Sequence, residues 1–242
     1  MMSKNKKYTS TKKLPSLDID KKLLKNIEDY IFNEIPQLID ISESDLRKNY
    51  LTRITDAVGE LSFGSIETYN NDLFPETTDK ILVRVWCNNR EKNSEISLQI
   101  NFSKDGYGSR IELEVTATNP KEISAGITLK LEEIINQKRN LNYWFHPPIY
   151  FYPIFLPILV LIQLPQFYGV RIDYKIKNYE FLLDFVVICY FTIFSKWKPK
   201  MAFDTLVQKR NNQIANFILL GLISCIFFDI LFTDYFKNLF NL

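Results

Sequence analysis

Three stretches in the first 140 residues repeat apolar side chains every three or four positions, the period of one helix face. The first runs from Asp18 to Ile35 and stops at Pro36, because proline cannot continue a helix. The second begins at Ser42, a capping residue, and ends at Gly59. The third begins at Asn119-Pro120. The apolar positions are Leu23, Leu24, Ile27, Ile31 and Ile35, then Leu46, Tyr50, Ile54 and Val58, then Ile123, Ile127, Leu131, Ile134 and Ile135.

Between the second and third helices the apolar period changes to two. Residues 96–102 and 110–115 alternate apolar and polar side chains, and Asp105-Gly106 lies in the segment that joins them, which predicts a β-hairpin with one solvated face. A strand at Ile81–Cys87 and a weaker one at Leu61–Phe63 extend the predicted sheet. This order predicts an α+β soluble head, with helices packed on one face of a small antiparallel sheet.

The pattern changes again after His146, where the uncharged run PPIYFYPIFLPILVLIQLPQFYGV begins. About 18 or more uncharged residues indicate a membrane-spanning helix. Two further apolar stretches follow, so the head is predicted to precede an all-α membrane region at 147–242. Its two to three transmembrane helices are predicted at about 149–168, 181–196 and 213–233. A two-span hairpin stays open, because five prolines interrupt the first segment and would let it lie in the interface.

The domain organisation follows from these patterns. Residues 1–16 carry five lysines within the first thirteen positions and no apolar signal sequence, which predicts a disordered basic tail. Residues 17–146 form the predicted cytoplasmic α+β domain, and 147–242 form the predicted membrane domain. With three spans, eight cations lie near the membrane on the side of the head and four on the other side. The positive-inside rule then predicts a multi-pass protein of the inner (cytoplasmic) membrane with its head in the cytoplasm.

Aromatic and basic residues flank the predicted spans and are expected at the membrane interface. These candidates are Trp144, Trp197, Lys196, Lys198, Lys200, Lys209 and Arg210.

Asp184 and Asp229 are the carboxylates within the predicted spans, and they are candidate intramembrane polar residues. Two interpretations stay open for them. They would either line an ion path or lie near the headgroups, and their closeness to the segment ends favours the headgroups.

Other candidate chemistry in the head is weak. Glu112 and Glu114 share one face of the hairpin, but no nucleophile or histidine accompanies them, and alternating charge is typical of a solvated strand. The single histidine, His146, and three widely spaced cysteines do not make a metal site. Trp86 and Tyr107 are aromatic residues that could face a partner. The sequence therefore predicts no catalytic, cofactor-binding or metal-binding residue, and no cofactor.

A family resemblance rests on four segments: ISLQINF, SRIELEV, NPKEISAGITLKLEEII and the connector WKPKMAFDTLVQKR, in which Lys198-Pro199 stands where the family has Phe-Pro. With the apolar C-terminal part, this layout resembles uncharacterised bacterial membrane proteins that have an N-terminal α+β head and C-terminal transmembrane helices. The resemblance implies a bacterial membrane protein with a cytosolic head, and it brings no active-site residue with it.

The sequence leaves three classes of function. The first is a non-enzymatic integral membrane protein whose cytosolic head binds a partner or self-associates, as a membrane-acting effector or a sensor does. The second is a small oligomeric channel or transporter, and the third is an enzyme with an unrecognised site. The predicted partners are the lipid bilayer and, through the head, a second copy or another protein. The net charge of +2 gives no reason to expect nucleic acid.

Overall fold

The computed structural model describes residues 5–89, 93–146, 195–221 and 224. The strands are β1 (Lys6–Lys13), β2 (Leu17–Ile19), β3 (Tyr50–Thr55), β4 (Glu60–Phe63), β5 (Lys80–Asn89), β6 (Ser94–Ser103), β7 (Arg110–Ala117) and β8 (Met201–Phe203). The helices of five or more residues are α1 (Lys21–Asn33), α2 (Ile35–Ile39), α3 (Glu43–Lys48), α4 (Pro120–Asn136) and α5 (206–221). Shorter helices lie at Ile66–Thr68, Asn142–Phe145 and Ser195–Trp197.

Six strands form an antiparallel sheet in the order β1-β7-β6-β5-β3-β4, and β2 pairs with β8 in parallel. Helices α2, α3 and α4 contact the six-stranded sheet on one side, and α1 packs against all three of them. The side chains that point toward the helices form the core. Those of Val83, Leu98 and Leu113, on the three central strands, are fully buried.

The β6–β7 hairpin is confirmed, because its alternating sequence pairs as predicted. Ile96 lies opposite Val115 and Ile100 opposite Ile111. Gly106 adopts a positive φ of 73°, a conformation that residues with a side chain rarely tolerate. The Asp105 carboxylate accepts a hydrogen bond from the Tyr107 backbone N–H at 3.0 Å. These two residues make the turn that the dipeptide Asp105-Gly106 predicts.

The first and third predicted helices are present, with adjusted ends. Asp20 caps α1 by accepting from the Leu23 N–H at 2.7 Å, and Pro36 lies inside α2 rather than after the helix. Helix α4 begins at Pro120 as predicted, and Ile127 and Leu131 on its predicted face are fully buried.

The second predicted helix is wrong after its first turns. Ser42 does cap α3, accepting from the Asp45 N–H at 3.1 Å, but the helix ends at Lys48. The chain then forms β3, in which Tyr50 and Ile54 point into the core. Positions four apart share a face in a strand as well as in a helix, so their spacing fitted both structures.

The predicted disordered tail is also wrong for residues 6–13. They form β1, which pairs along its full length with β7, from Lys6 opposite Ala117 to Lys13 opposite Arg110. Backbone hydrogen bonds to a neighbouring strand order this lysine-rich segment although its side chains are mostly exposed. Lysines are common on the outer strands of sheets, where they discourage further strand pairing.

The parallel β2–β8 pair joins the head to a segment that lies far along the chain. Leu17 pairs with Met201 and Ile19 with Phe203, and these four side chains belong to the same buried core as the sheet. The core of the predicted domain 17–146 therefore includes residues from beyond position 200.

The predicted all-α membrane region is wrong for the structure as described, because no helix within the described residues is long and apolar enough to cross a membrane. Helix α5 illustrates the reason, since its first turns are polar from Gln208 to Gln213. The predicted class of integral membrane protein with transmembrane helices is wrong on the same finding, and so is the predicted multi-pass inner-membrane location with a cytoplasmic head. The predicted span 149–168 and most of 181–196 lie outside the described residues, and 213–233 is described only at 213–221 and 224.

Candidate functional site

The face of the six-stranded sheet opposite the helices is polar and, within the described chain, not covered by a helix. We call it the open face. Cross-strand pairing arranges its side chains in rows across the strands. The open face consists of Lys7, Thr9, Thr11, Lys13, Leu51, Arg53, Thr55, Glu60, Ser62, Lys80, Leu82, Arg84, Trp86, Asn88, Glu95, Ser97, Gln99, Asn101, Ser103, Arg110, Glu112, Glu114 and Thr116.

Trp86 is the large aromatic residue of this face. It lies on β5 opposite Ser97 of β6, and 44% of its surface is exposed. Its indole Nε1–H donates a hydrogen bond to Glu95 Oε1 at 2.9 Å, which fixes the ring orientation. An oriented, partly exposed tryptophan offers a large apolar contact area at low entropic cost.

The carboxylates of the open face already have partners within the sheet. Glu112 pairs with Arg110 on the same strand. Glu114 pairs with Lys7 at 2.6 Å. The remaining two also have donors, since Arg53 pairs with Glu60 at 3.0 Å and Trp86 donates to Glu95. The paired glutamates that the sequence offered as candidate chemistry are therefore solvated members of ion pairs.

Arg84 differs from the other charged residues near Trp86. It is exposed, lies two residues before Trp86 on the same face, and pairs across the sheet with Gln99 and Leu51. No carboxylate forms an ion pair with it in the part of the chain that the structure describes. The centre of the open face therefore combines an exposed indole with an uncompensated positive charge.

The predicted interface residue Lys198 lies in a different place from the one expected. It is buried, and its Nζ donates to Asn216 Oδ1 of α5 at 2.9 Å. Burial lowers the pKa of Lys198 from its ordinary value. Lys198 therefore links the turn before β8 to helix α5 and does not lie at an exposed interface.

His146 and Asn142 hold the turn that contains Lys198. The His146 Nε2–H donates to the Lys198 carbonyl at 2.7 Å, and Asn142 Nδ2 donates to the Pro199 carbonyl at 3.0 Å. We call this contact between residues 142–146 and 198–200 the junction. Burial, and to a smaller extent nearby Lys200, lower the pKa of His146, although the bond to the carbonyl opposes the shift. The imidazole therefore favours its neutral form.

The remaining predicted interface residues are spread around this region. Lys209 pairs with Asp204 at 3.1 Å, and Lys196 and Arg210 are exposed. The Trp197 carbonyl accepts from Gln208 at 2.7 Å. Several of the predicted interface residues therefore lie in the segment around β8 that packs against the head, but they do not form one cluster.

The last of these residues, Trp144, is exposed, and its ring lies 5.0 Å from that of Tyr143. The candidate polar residues Asp184 and Asp229 lie outside the described residues.

Metal and thiol chemistry find no support at the described positions. There, no group of three or more His, Cys, Asp or Glu side chains is placed to hold a metal ion. Cys87 is buried, and burial raises the pKa of its thiol, so it is less nucleophilic than an exposed cysteine.

Sequence reasoning singled out Trp86 as a residue that could face a partner, but it did not single out Arg84. The available signal for Arg84 was the alternation along β5, which puts Leu82, Arg84 and Trp86 on one face. The signal was too weak to use, because only the register with β6 and β7 shows that the neighbouring acids are compensated.

The chain matches no protein-family model, no curated protein and no solved structure in comparisons of its sequence and fold. Its function is therefore argued from its own surfaces.

Proposed function

We propose that the protein is a non-enzymatic binding module that recognises another protein through the open face of its sheet. The observation that carries this proposal is the pairing of exposed Trp86 with uncompensated Arg84 at the centre of a face whose carboxylates are already partnered. Tryptophan and arginine are the residues most enriched where interfaces derive their binding energy.

The chemistry of the face specifies the partner. A partner surface that offers a carboxylate to Arg84 and an apolar side chain to Trp86 would complement both groups. Internal pairing of Glu112, Glu114, Glu95 and Glu60 means that the partner need not supply a cation to each of them. The rim of paired charges then provides specificity and limits solvent access, while the centre supplies affinity.

The size of the open face agrees with this use. Six strands about 4.8 Å apart span roughly 24 Å, and eight residues at about 3.3 Å each span roughly 26 Å. The resulting area of roughly 600 Å² approaches the ~800 Å² that each partner buries in a standard interface. A single peptide strand would cover only part of it, so a folded partner surface fits better.

The test is site-specific photo-crosslinking in the full chain, expressed in cells. A photoreactive amino acid replaces Gln99 beside Arg84, and in a matched control it replaces Leu129, which is exposed on helix α4. We expect a discrete crosslinked protein from position 99 only. Adding Arg84→Glu or Trp86→Ala should reduce its yield at least tenfold, because either change removes a central contact.

The outcomes separate the alternatives. A product of twice the chain mass, lost in the same variants, would identify a second copy as the partner. A crosslink to RNA, an equal yield from position 129, or a yield that Arg84→Glu and Trp86→Ala both leave unchanged would overturn the proposal.

A further inference from the structure

A second surface lies at the corner of the sheet, under the loop of the β6–β7 hairpin. There a cavity of about 360 Å³ opens between the segment after β1, the hairpin loop, Tyr143 and the turn before β8. Its volume lies within the range of small-molecule sites, about 300–1,000 Å³. We call it the basic cavity, and the lining side chains that matter are Lys13, Ser16, Tyr107, Tyr143 and Lys200.

The position of Lys200 is set by close packing against Gly106. A Cβ added to Gly106 would lie 2.8 Å from Lys200 Cδ, so the glycine lets the hairpin loop rest directly on the lysine stem. The Lys200 carbonyl accepts from the Leu17 N–H at 2.9 Å, which fixes its backbone. The ammonium group lies 4.8 Å from the centre of the Tyr107 ring. Lys200 is therefore held in place before any ligand arrives.

The basic cavity carries positive charge without compensation. Among the residues that the structure describes, Lys13 and Lys200 line it, no carboxylate lines it, and neither lysine forms an ion pair. By contrast, Lys12 pairs with Glu132 at 3.1 Å and Lys209 pairs with Asp204. An anion is the ligand that this arrangement favours.

The aromatic side chains of the cavity are unusually accessible. Tyr107 is 83% exposed and Tyr143 is 42% exposed. Exposed tyrosine rings beside lysines provide a flat surface for a planar ring next to a binding point for phosphate, a combination that proteins use to hold nucleotides and bases.

We propose that the basic cavity binds a nucleotide, with its phosphate between Lys13 and Lys200 and its base against Tyr107 or Tyr143. The site is separate from the centre of the open face around Arg84 and Trp86. Its test is therefore independent of the proposed protein partner, and either proposal can fail alone.

The experiment is calorimetric titration of the full chain with adenosine 5′-monophosphate, adenosine and inorganic phosphate. We expect saturable binding of adenosine monophosphate with a dissociation constant below about 1 mM. Lys13→Gln and Lys200→Gln should each weaken it about tenfold or more, because each removes a charge-assisted contact. Tyr143→Ala and Tyr107→Ala test the base contact, and at least one of them should weaken binding.

Lys12→Gln is the matched control, because Lys12 is adjacent on β1 but points to the other face and pairs with Glu132. It should change the affinity less than about twofold. Lys13→Gln alters an exposed residue of an edge strand, so it keeps the test valid even if Lys200→Gln disturbs folding.

The proposal would be overturned by no saturable binding, by an equal loss in Lys12→Gln and Lys13→Gln, or by adenosine bound as tightly as its monophosphate. Inorganic phosphate bound as tightly as the nucleotide would also overturn it, since the site would then recognise phosphate alone, whether free or on a lipid headgroup.

Discussion

Glu28 is a carboxylate that only the three-dimensional structure explains. It lies on the inner face of α1 with 1% of its surface exposed, among apolar neighbours. Its two oxygens accept hydrogen bonds from Ser65 Oγ at 2.6 Å and from the Ile66 N–H at 2.7 Å. A buried carboxylate is tolerated only with such donors, and here both donors lie at the start of the short 3₁₀ helix Ile66–Thr68.

Replacing Glu28 by Met should lower the free energy of unfolding by about 1–3 kcal/mol, because the buried Ile66 N–H loses its acceptor. Denaturant titration of the full chain measures this change. The control is Glu67→Met, since Glu67 is exposed and pairs with Lys25 at the surface, where solvent screening should make the loss clearly smaller than in Glu28→Met. Equal losses in the two variants would show that the buried contacts of Glu28 add nothing to stability.

At the scale of elements, the sequence predicted the helix and the hairpin that are stabilised by interactions between residues close together in the chain. Helix α4 and the β6–β7 hairpin depend on neighbouring residues, and the sequence located both. Strand β3 depends on pairing with β5, about 30 residues away, and its apolar positions fitted a helix equally well. The β-branched residues Thr52, Ile54 and Thr55 were the signal that favoured a strand.

The junction is the element whose stability should depend on pH. His146 donates to the Lys198 carbonyl while half-buried, and its pKa lies below the ordinary value of about 6.5. The unfolded chain therefore binds a proton at His146 more readily than the folded chain does. The contribution of neutral His146 to the free energy of unfolding is fully present above about pH 6.5, and it is lost as the pH falls through the pKa of His146 in the folded chain.

His146→Gln should remove this part of the pH dependence, because the glutamine amide can still donate to the carbonyl but does not titrate. We expect the melting temperature of the wild type to fall more between pH 7.5 and pH 5.5 than that of His146→Gln. Thermal unfolding followed by circular dichroism at both pH values measures the difference. A parallel decrease in both proteins would assign the pH dependence to other groups.

At the scale of the whole molecule, the fold depends on segments far apart in the sequence. Strand β1 forms one edge of the sheet, and β8 completes the core against β2. The sequence assigned β1 to a disordered tail and β8 to a connector between spans, because neither segment shows its pairing partner locally. The same holds for the candidate sites. Trp86 and Tyr107 could be selected from the sequence because they are aromatic. The proposed binding roles of Arg84, Lys13 and Lys200 depend on cross-strand register and packing, which the sequence does not show.

The contribution of β8 can be measured by removing it and adding it back. A fragment of residues 1–146 loses Met201 and Phe203, which exposes Leu17 and Ile19 of the core. Burial of a large apolar side chain contributes about 1.5–3 kcal/mol, a substantial part of a total stability of about 5–15 kcal/mol. The fragment should therefore have a lower melting temperature than the full chain. A peptide of residues 195–213 should raise the melting temperature of the fragment by binding β2.

Two peptide variants make this prediction specific. Phe203→Ala should abolish the stabilisation, because Phe203 is buried in the core, whereas Leu206→Ala should preserve it, because Leu206 is exposed. Circular dichroism melts of the fragment with each peptide provide the comparison. If the fragment melts at the same temperature with and without the unmodified peptide, β8 does not help to hold the head together, and the head folds on the first 146 residues alone.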